Sequence, residues 1–237
     1  MTKPIALFAF DLDGTLADTE SISLPSAVAT MRNAFGVPVT LEYWYANLHG
    51  LAGQALMDAI QSQFGITVNF AEYLRQRAEQ VPHMFAGGVN PAPGMLQVVR
   101  QLAAQGNQLC ICSNSAPERI ALTLTNITGQ HSAGLNLLGM FEGHILSATG
   151  PQGQGKAKPA PDVYLDAAAR YGATPANCVA VEDSPVGVHA AISAGFTCLG
   201  YTGLSHHGEA DAASLKEAGA HHTFHHWDDF HALLATL

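Results

Sequence analysis

The chain has 237 residues, 48% of them hydrophobic and 12% charged, with a formal net charge of −9. That length allows a full core and a second, smaller unit, while the negative balance argues against nucleic acid or an anionic membrane as the main partner. No apolar run approaches the roughly 20 residues of a membrane span, and the N-terminus has neither a basic region before an apolar stretch nor a cleavage site, so the expected location is the cytoplasm.

Residues 4–10 form a continuous apolar run, as a strand buried on both faces would. From about Asp18 to Phe85 the signals are helical. Ser26 to Phe35 stops at Gly36, Thr40 can start a helix through Tyr43-Trp44-Tyr45, and Asn69 with Glu72 has the form of a capping box. After Pro91 strands and helices alternate: helix Met95 to Ala104, strand 108–112, helix Pro117 to Thr125, strand 144–148, helix Asp162 to Tyr171, strand 178–181 and helix Pro185 to Ala194, with further strands at Thr197 to Gly200 and near Thr223. Strands separated by helices imply a parallel sheet, so the fold class is α/β with an all-helical insert after the first strand. Cys110, Cys112, Cys178 and Cys198 fall in apolar runs without metal-ligand spacing and are expected to be reduced core residues.

The first strand ends abruptly in Asp11-Leu12-Asp13-Gly14-Thr15. Charge beside an apolar core is costly unless paired or bound to a metal, and open α/β sheets bind ligands at the carboxyl ends of their strands. Asp11 and Asp13 are two apart, which in an extended strand puts them on one face, and the turn at Gly14 lets both converge on one small volume. A carboxylate is a competent nucleophile toward phosphorus, and an aspartyl-phosphate divides a difficult hydrolysis into two steps. Uncatalysed phosphate-monoester hydrolysis calls for accelerations of up to roughly 10²¹-fold, so such chemistry needs a metal ion and cationic clamps from elsewhere in the chain.

The segment Asp11 to Leu16 resembles motif I of the haloacid-dehalogenase-like (HAD) hydrolases. Three further stretches match that family's remaining motifs in order: Leu109-Cys110-Ile111-Cys112 running into Ser113-Asn114-Ser115, Lys158-Pro159-Ala160-Pro161-Asp162, and Cys178-Val179-Ala180-Val181-Glu182-Asp183-Ser184. The resemblance, to the β-phosphoglucomutase/phosphatase-like subgroup, implies a Rossmann-like core of residues 1–17 and 88–237 and a helical C1 cap of residues 18–87. It implies Asp11 as nucleophile and Asp13 as acid/base. Ser113, Asn114, Thr15 and Lys158 are expected on the phosphate, and Asp11, Asp13 (through its backbone carbonyl), Asp183 and Glu182 around Mg2+, Glu182 either as a ligand or as the residue that orients one. The cap is expected to read the leaving alcohol, with Thr19, Glu20, His49, Arg75 and Arg77 as candidates. His49 lies in a stretch, Leu48 to Gly53, that resembles the cap's substrate-specificity loop.

Departures from relatives narrow the reaction. Dehalogenases of the superfamily lack a second catalytic Asp, and phosphonate hydrolases use a cap lysine, whereas this chain has Asp13 and no lysine between Lys3 and Lys156. Sugar-phosphate mutases tend to carry an Arg in the cap loop, where this chain has Ala52 and Gly53, and a His shortly after motif I, where it has Ser23. The expected activity is therefore magnesium-dependent hydrolysis of a small phosphorylated metabolite, a sugar, sugar-acid or polyol monophosphate. A mutase is the enzymatic alternative, and a phosphate-binding regulatory protein the non-catalytic one. The oligomeric state is open, a monomer being compatible. The glycine-rich stretch 150–155 lacks the strand-to-helix context and ending of a nucleotide-binding loop and reads as a connection to Lys158. His206, His207, His221, His222, His225 and His226 could bind a transition metal if they cluster, but adjacent histidines in a strand point to opposite faces, and they are expected instead as surface positions on an edge region.

Overall fold

The computed structural model describes residues 4–48, 51, 53–127, 136–149, 156–205 and 208–237. The chain divides into two compact units, Met1–Asp18 with Val89–Leu237, and Thr19–Gly88.

The larger unit is built on strands β1 (Leu7–Phe10), β4 (Leu109–Ser113), β5 (Ile145–Ser147), β6 (Cys178–Glu182), β7 (Thr197–Tyr201) and β8 (His222–Phe224), in the order β5-β4-β1-β6-β7-β8 and parallel throughout. Its connecting helices are α5 (Met95–Ala104), α6 (Pro117–Asn126), α7 (Leu137–Met140), α8 (Asp162–Arg170), α9 (Pro185–Ser193), α10 (Glu209–Glu217) and α11 (Phe230–Leu234). A two-residue antiparallel ribbon, β2 (Ala17–Asp18) against β3 (Asn90–Pro91), stands at the two places where the chain leaves and re-enters this unit. The ribbon was not legible as strand, because two residues cannot display a period.

β1 is buried on both faces, which is why all four of its residues are apolar. Leu7 and Ala9 join one core cluster with Val163, Tyr164, Val188 and Ala191 from α8 and α9. Phe8 and Phe10 turn the other way, with ring centroids 6.2 Å from Phe230 and 6.1 Å from Trp227 respectively. The four cysteines are buried and free. The strand is shorter at its start than the apolar run suggested, although Ala6 N–H still bonds the Asn177 carbonyl at 2.8 Å.

The smaller unit contains α1 (Glu20–Phe35), α2 (Leu41–Asn47), α3 (Gly53–Phe64) and α4 (Phe70–Met84). Its core gathers Met31, Val37, Trp44, Leu56, Ile60 and Tyr73 among others. Thr40 caps α2 by accepting the Tyr43 N–H at 3.1 Å, and Gly36 ends α1 with a left-handed φ of 67°. Helix α1 starts at Glu20 rather than Ser26 and runs through Pro25, which sits within its second turn. The capping box at Asn69 is half made: Asn69 Oδ1 accepts the Glu72 N–H at 3.0 Å, while the Glu72 carboxylate turns to Arg75 and Gln76.

Candidate active site

Parallel pairing brings the carboxyl ends of β4, β1 and β6 side by side. Phe10 pairs with Ile111 on one side and Val181 on the other, so one residue further Asp11, Cys112 and Glu182 come level. Lys158 reaches all three: its Nζ donates to Asp11 Oδ1 at 2.7 Å, to the Cys112 carbonyl at 2.7 Å and to Glu182 Oε1 at 2.5 Å. An ammonium has three donors, and these three partners engage them all. The whole group is buried, Lys158 at 7% exposure, Asp11 at 8% and Glu182 at 1%.

The backbone holding Lys158 is itself held. Asn114 Oδ1 accepts the Lys158 N–H at 2.8 Å and Asn114 Nδ2 donates to the Lys158 carbonyl at 3.2 Å, and the Lys158–Pro159 peptide is cis. The Asn114 side chain, expected on the phosphate, bonds both backbone polar groups of Lys158. Thr15, also expected there, donates from Oγ1 to Asp183 Oδ1 at 3.3 Å and so orients that carboxylate. Ser113 is buried at the end of β4, its Oγ accepting the Ser115 N–H at 3.0 Å.

Two glycines make room for acids. A Cβ on Gly14, whose φ is +83°, would stand 2.0 Å from Asp183 Oδ2, and one on Gly187 would stand 1.9 Å from Glu182 Oε2. Ser184 caps α9 by accepting the Gly187 N–H at 3.1 Å, with Pro185 in the first turn. The last acid, Asp13, is turned toward β4's following loop, accepting from Ser115 Oγ at 2.6 Å and from Arg119 Nη2 at 2.8 Å.

The electrostatics follow from burial and surplus negative charge. Burial pushes the Asp11 carboxyl up to about 7; the Lys158 ammonium opposes this, and Glu182 and Asp13 add to it. Burial lowers the proton affinity of Lys158, but the carboxylates of Asp11 and Glu182 together hold it above the ordinary value. Asp11, Glu182 and Asp183 each offer an oxygen within 4.8 Å of the others. Three carboxyl groups converge beside one ammonium, and an all-oxygen donor set of this kind fits a hard divalent cation. Glu182 is already bonded to Lys158 and to the Tyr164 hydroxyl, so Asp11 and Asp183 are the better placed ligands. The Asp13 carboxylate lies outside this cluster among the described residues.

Tyr164, Ser115, Arg119 and Gly187 were not singled out from the sequence. Tyr164 had a signal, since Val163, Tyr164, Ala167 and Ala168 form a buried stripe and a buried phenol needs a partner. Gly187 had one too, as an isolated glycine inside a helical pattern. Nothing in the sequence marks Arg119. Of the proposed alcohol readers, Arg75 pairs with Glu72 and Glu79 on its own helix, and Arg77 bonds Ser26 Oγ and the Ser23 carbonyl. His49, Ala52, the stretch 150–155, His206 and His207 lie outside the described residues. His221, His222, His225 and His226 form no metal cluster among the described residues. No helix among those residues is long and apolar enough to cross a membrane.

The probable pseudouridine-5'-phosphatase of Drosophila melanogaster is 29% identical over 188 residues, covering 78% of this chain and 77% of that protein. The 6-phosphogluconate phosphatase of Escherichia coli is 28% identical over 196 residues, covering 82% and 81%. A HAD family hydrolase from Deinococcus radiodurans, solved with bound phosphate and sodium, superposes with a TM-score of 0.78 at 27% identity, covering 99% of this chain and 97% of that one. The profile of the haloacid dehalogenase-like hydrolases matches residues 5–195, and the chain belongs to that family.

Proposed function

We propose that this enzyme is a phosphoric monoester hydrolase that uses magnesium and passes through an aspartyl-phosphate. The observation that carries the reading is the placement of Lys158 between Asp11 and Glu182, with Asp183 beside them. Asp11 attacks phosphorus, and as its charge is consumed in the new P–O bond the Lys158 donor on Oδ1 turns to the phosphoryl oxygens, neutralising charge there. Ser113 supplies a hydroxyl to the same oxygens, and the leaving alcohol takes its proton from Asp13. Asp13 then removes a proton from the water that hydrolyses the aspartyl-phosphate, restoring Asp11. Magnesium, held by Asp11, Asp183 and the Asp13 carbonyl, with Glu182 orienting the cluster, would supply Lewis-acid stabilisation of the phosphoryl oxygens.

The substrate class is a small sugar, sugar-acid or polyol monophosphate, supported by the phosphorylated sugar acid named for the E. coli relative, while the Drosophila relative is named for a nucleoside monophosphate. The helical unit serves as the cap that excludes water and reads the alcohol, with His49, Thr19 and Glu20 as its candidate contacts. The test is phosphate release from a panel of sugar, sugar-acid, polyol and nucleotide monophosphates, with magnesium and with excess chelator, beside Asp11→Asn. Release that needs both magnesium and Asp11 is expected. Full turnover by Asp11→Asn would sink the assignment of the nucleophile.

A further inference from the structure

We propose that Arg119, acting with Ser115, is the positioning group for the acid/base carboxylate of Asp13. This rests on the phosphatase reading above and adds two residues to it. Asp13 follows β1 by three residues, in a turn closed by the Gly14 N–H on the Ala17 carbonyl at 2.9 Å, so its backbone is fixed from below. Its two oxygens are then claimed separately. Arg119, in the first turn of α6, donates from Nη2 to Oδ1 at 2.8 Å, and Ser115, in the loop after β4, donates from Oγ to Oδ2 at 2.6 Å. Ser115 is itself anchored by its N–H on Ser113 Oγ, and its carbonyl accepts from Ser147 Oγ at 2.7 Å. The side chains of Asp13 and Arg119 are 24% and 31% exposed, so this pair is open to solvent in part while Lys158 and Glu182 are buried.

The two partners differ in kind. A guanidinium is only a donor, so Oδ1 stays an acceptor throughout; a hydroxyl can turn from donor to acceptor, so Oδ2 is the oxygen that gains and loses the proton. In the first step the ester P–O bond breaks as the bond from Asp11 to phosphorus forms, and the proton on Asp13 Oδ2 passes to the leaving oxygen. Ser115 Oγ turns with it. Arg119 keeps the carboxylate plane aimed while this exchange occurs.

The leaving-group dependence of kcat/KM reads this role directly, because a good leaving group needs little help from an acid and a poor one needs much. The probes are p-nitrophenyl phosphate and phenyl phosphate, which share a shape and differ in leaving-group basicity, assayed with magnesium on the full chain. General acid catalysis contributes about 10²–10⁴-fold. In Arg119→Met, kcat/KM for phenyl phosphate is expected to fall at least about tenfold further than that for p-nitrophenyl phosphate, and Arg119→Lys to restore part of the difference. Ser115→Ala is expected to shift the ratio in the same direction. Equal losses on both esters, or no loss on either, in a variant whose melting temperature matches the parent would overturn the inference. Failure of the parent enzyme to hydrolyse any ester of this pair or of the panel would instead count against the phosphatase reading itself.

Discussion

Gly187→Ala sets two effects of opposite sign against each other. Alanine is favoured over glycine by up to about 1 kcal/mol in a helix interior, an upper bound for Gly187 in the first turn of α9, and Gly187 is not among the positive-φ glycines, so local propensity alone predicts a more stable protein. The new methyl, however, would stand 1.9 Å from Glu182 Oε2 and 2.0 Å from its carboxyl carbon, where only displacement of that side chain relieves the overlap. Glu182 is 1% exposed and holds both Lys158 Nζ and the Tyr164 hydroxyl, so displacing it leaves a buried ammonium short of a partner. Breaking a buried ion pair from one side costs about 3–5 kcal/mol. After the propensity gain, the net expectation is a loss of about 2–4 kcal/mol, which for a chain of this size lowers the melting temperature by about 5–15 °C. Urea unfolding followed by far-ultraviolet circular dichroism should move to a lower midpoint with an unchanged slope. In a Glu182→Ala background the overlap is gone, and the same Gly187→Ala change is expected to be neutral or stabilising. A single variant as stable as the parent would refute the close approach of Glu182 to α9.

Three further outcomes are expected. Tyr164→Phe removes one hydrogen bond to a buried carboxylate without opening a cavity and should cost about 1.5–3 kcal/mol in the same urea assay; a change below about 0.5 kcal/mol would mean that Glu182 does not depend on the phenol. Magnesium should raise the melting temperature of the parent, by an amount corresponding to about 2.7 kcal/mol at a hundred times its dissociation constant, and Asp183→Asn should abolish that rise. A parent indifferent to magnesium would remove the case for a cation among Asp11, Glu182 and Asp183. Burial pushes the Cys178 thiol from its ordinary 9.0 up to about 11, and burial raises Cys110 and Cys198 as well. The folded form therefore keeps these protons longer than the unfolded form, so their contribution to stability is full below pH 9; that of Cys178 is lost as the pH climbs toward 11, and those of Cys110 and Cys198 at still higher pH. At pH 8 a thiol reagent should label none of the four cysteines before unfolding and all four after it, and rapid labelling of the native protein would contradict the buried placement.

The linear chain was sufficient for the α/β alternation and for the principal acids. Apolar runs that end in Asp11, in Ser113 and in Glu182-Asp183 are local patterns, and strands joined by helices leave little choice but a parallel sheet with those ends on one edge. Helix signals of equally short range, at Gly36, Thr40 and Ser184, also appear where the residues suggested. What lay beyond the sequence was the pairing of side chains across long separations. Lys158 meets Asp11 across 147 residues and Arg119 meets Asp13 across 106, and no periodicity records such contacts. Only tertiary structure joins Thr15 to Asp183 and Asn114 to the Lys158 backbone. The physical reason is hydrogen-bond satisfaction: in a buried site every donor and acceptor must find a partner, and which partner is in reach depends on strand register and helix placement rather than on residue type.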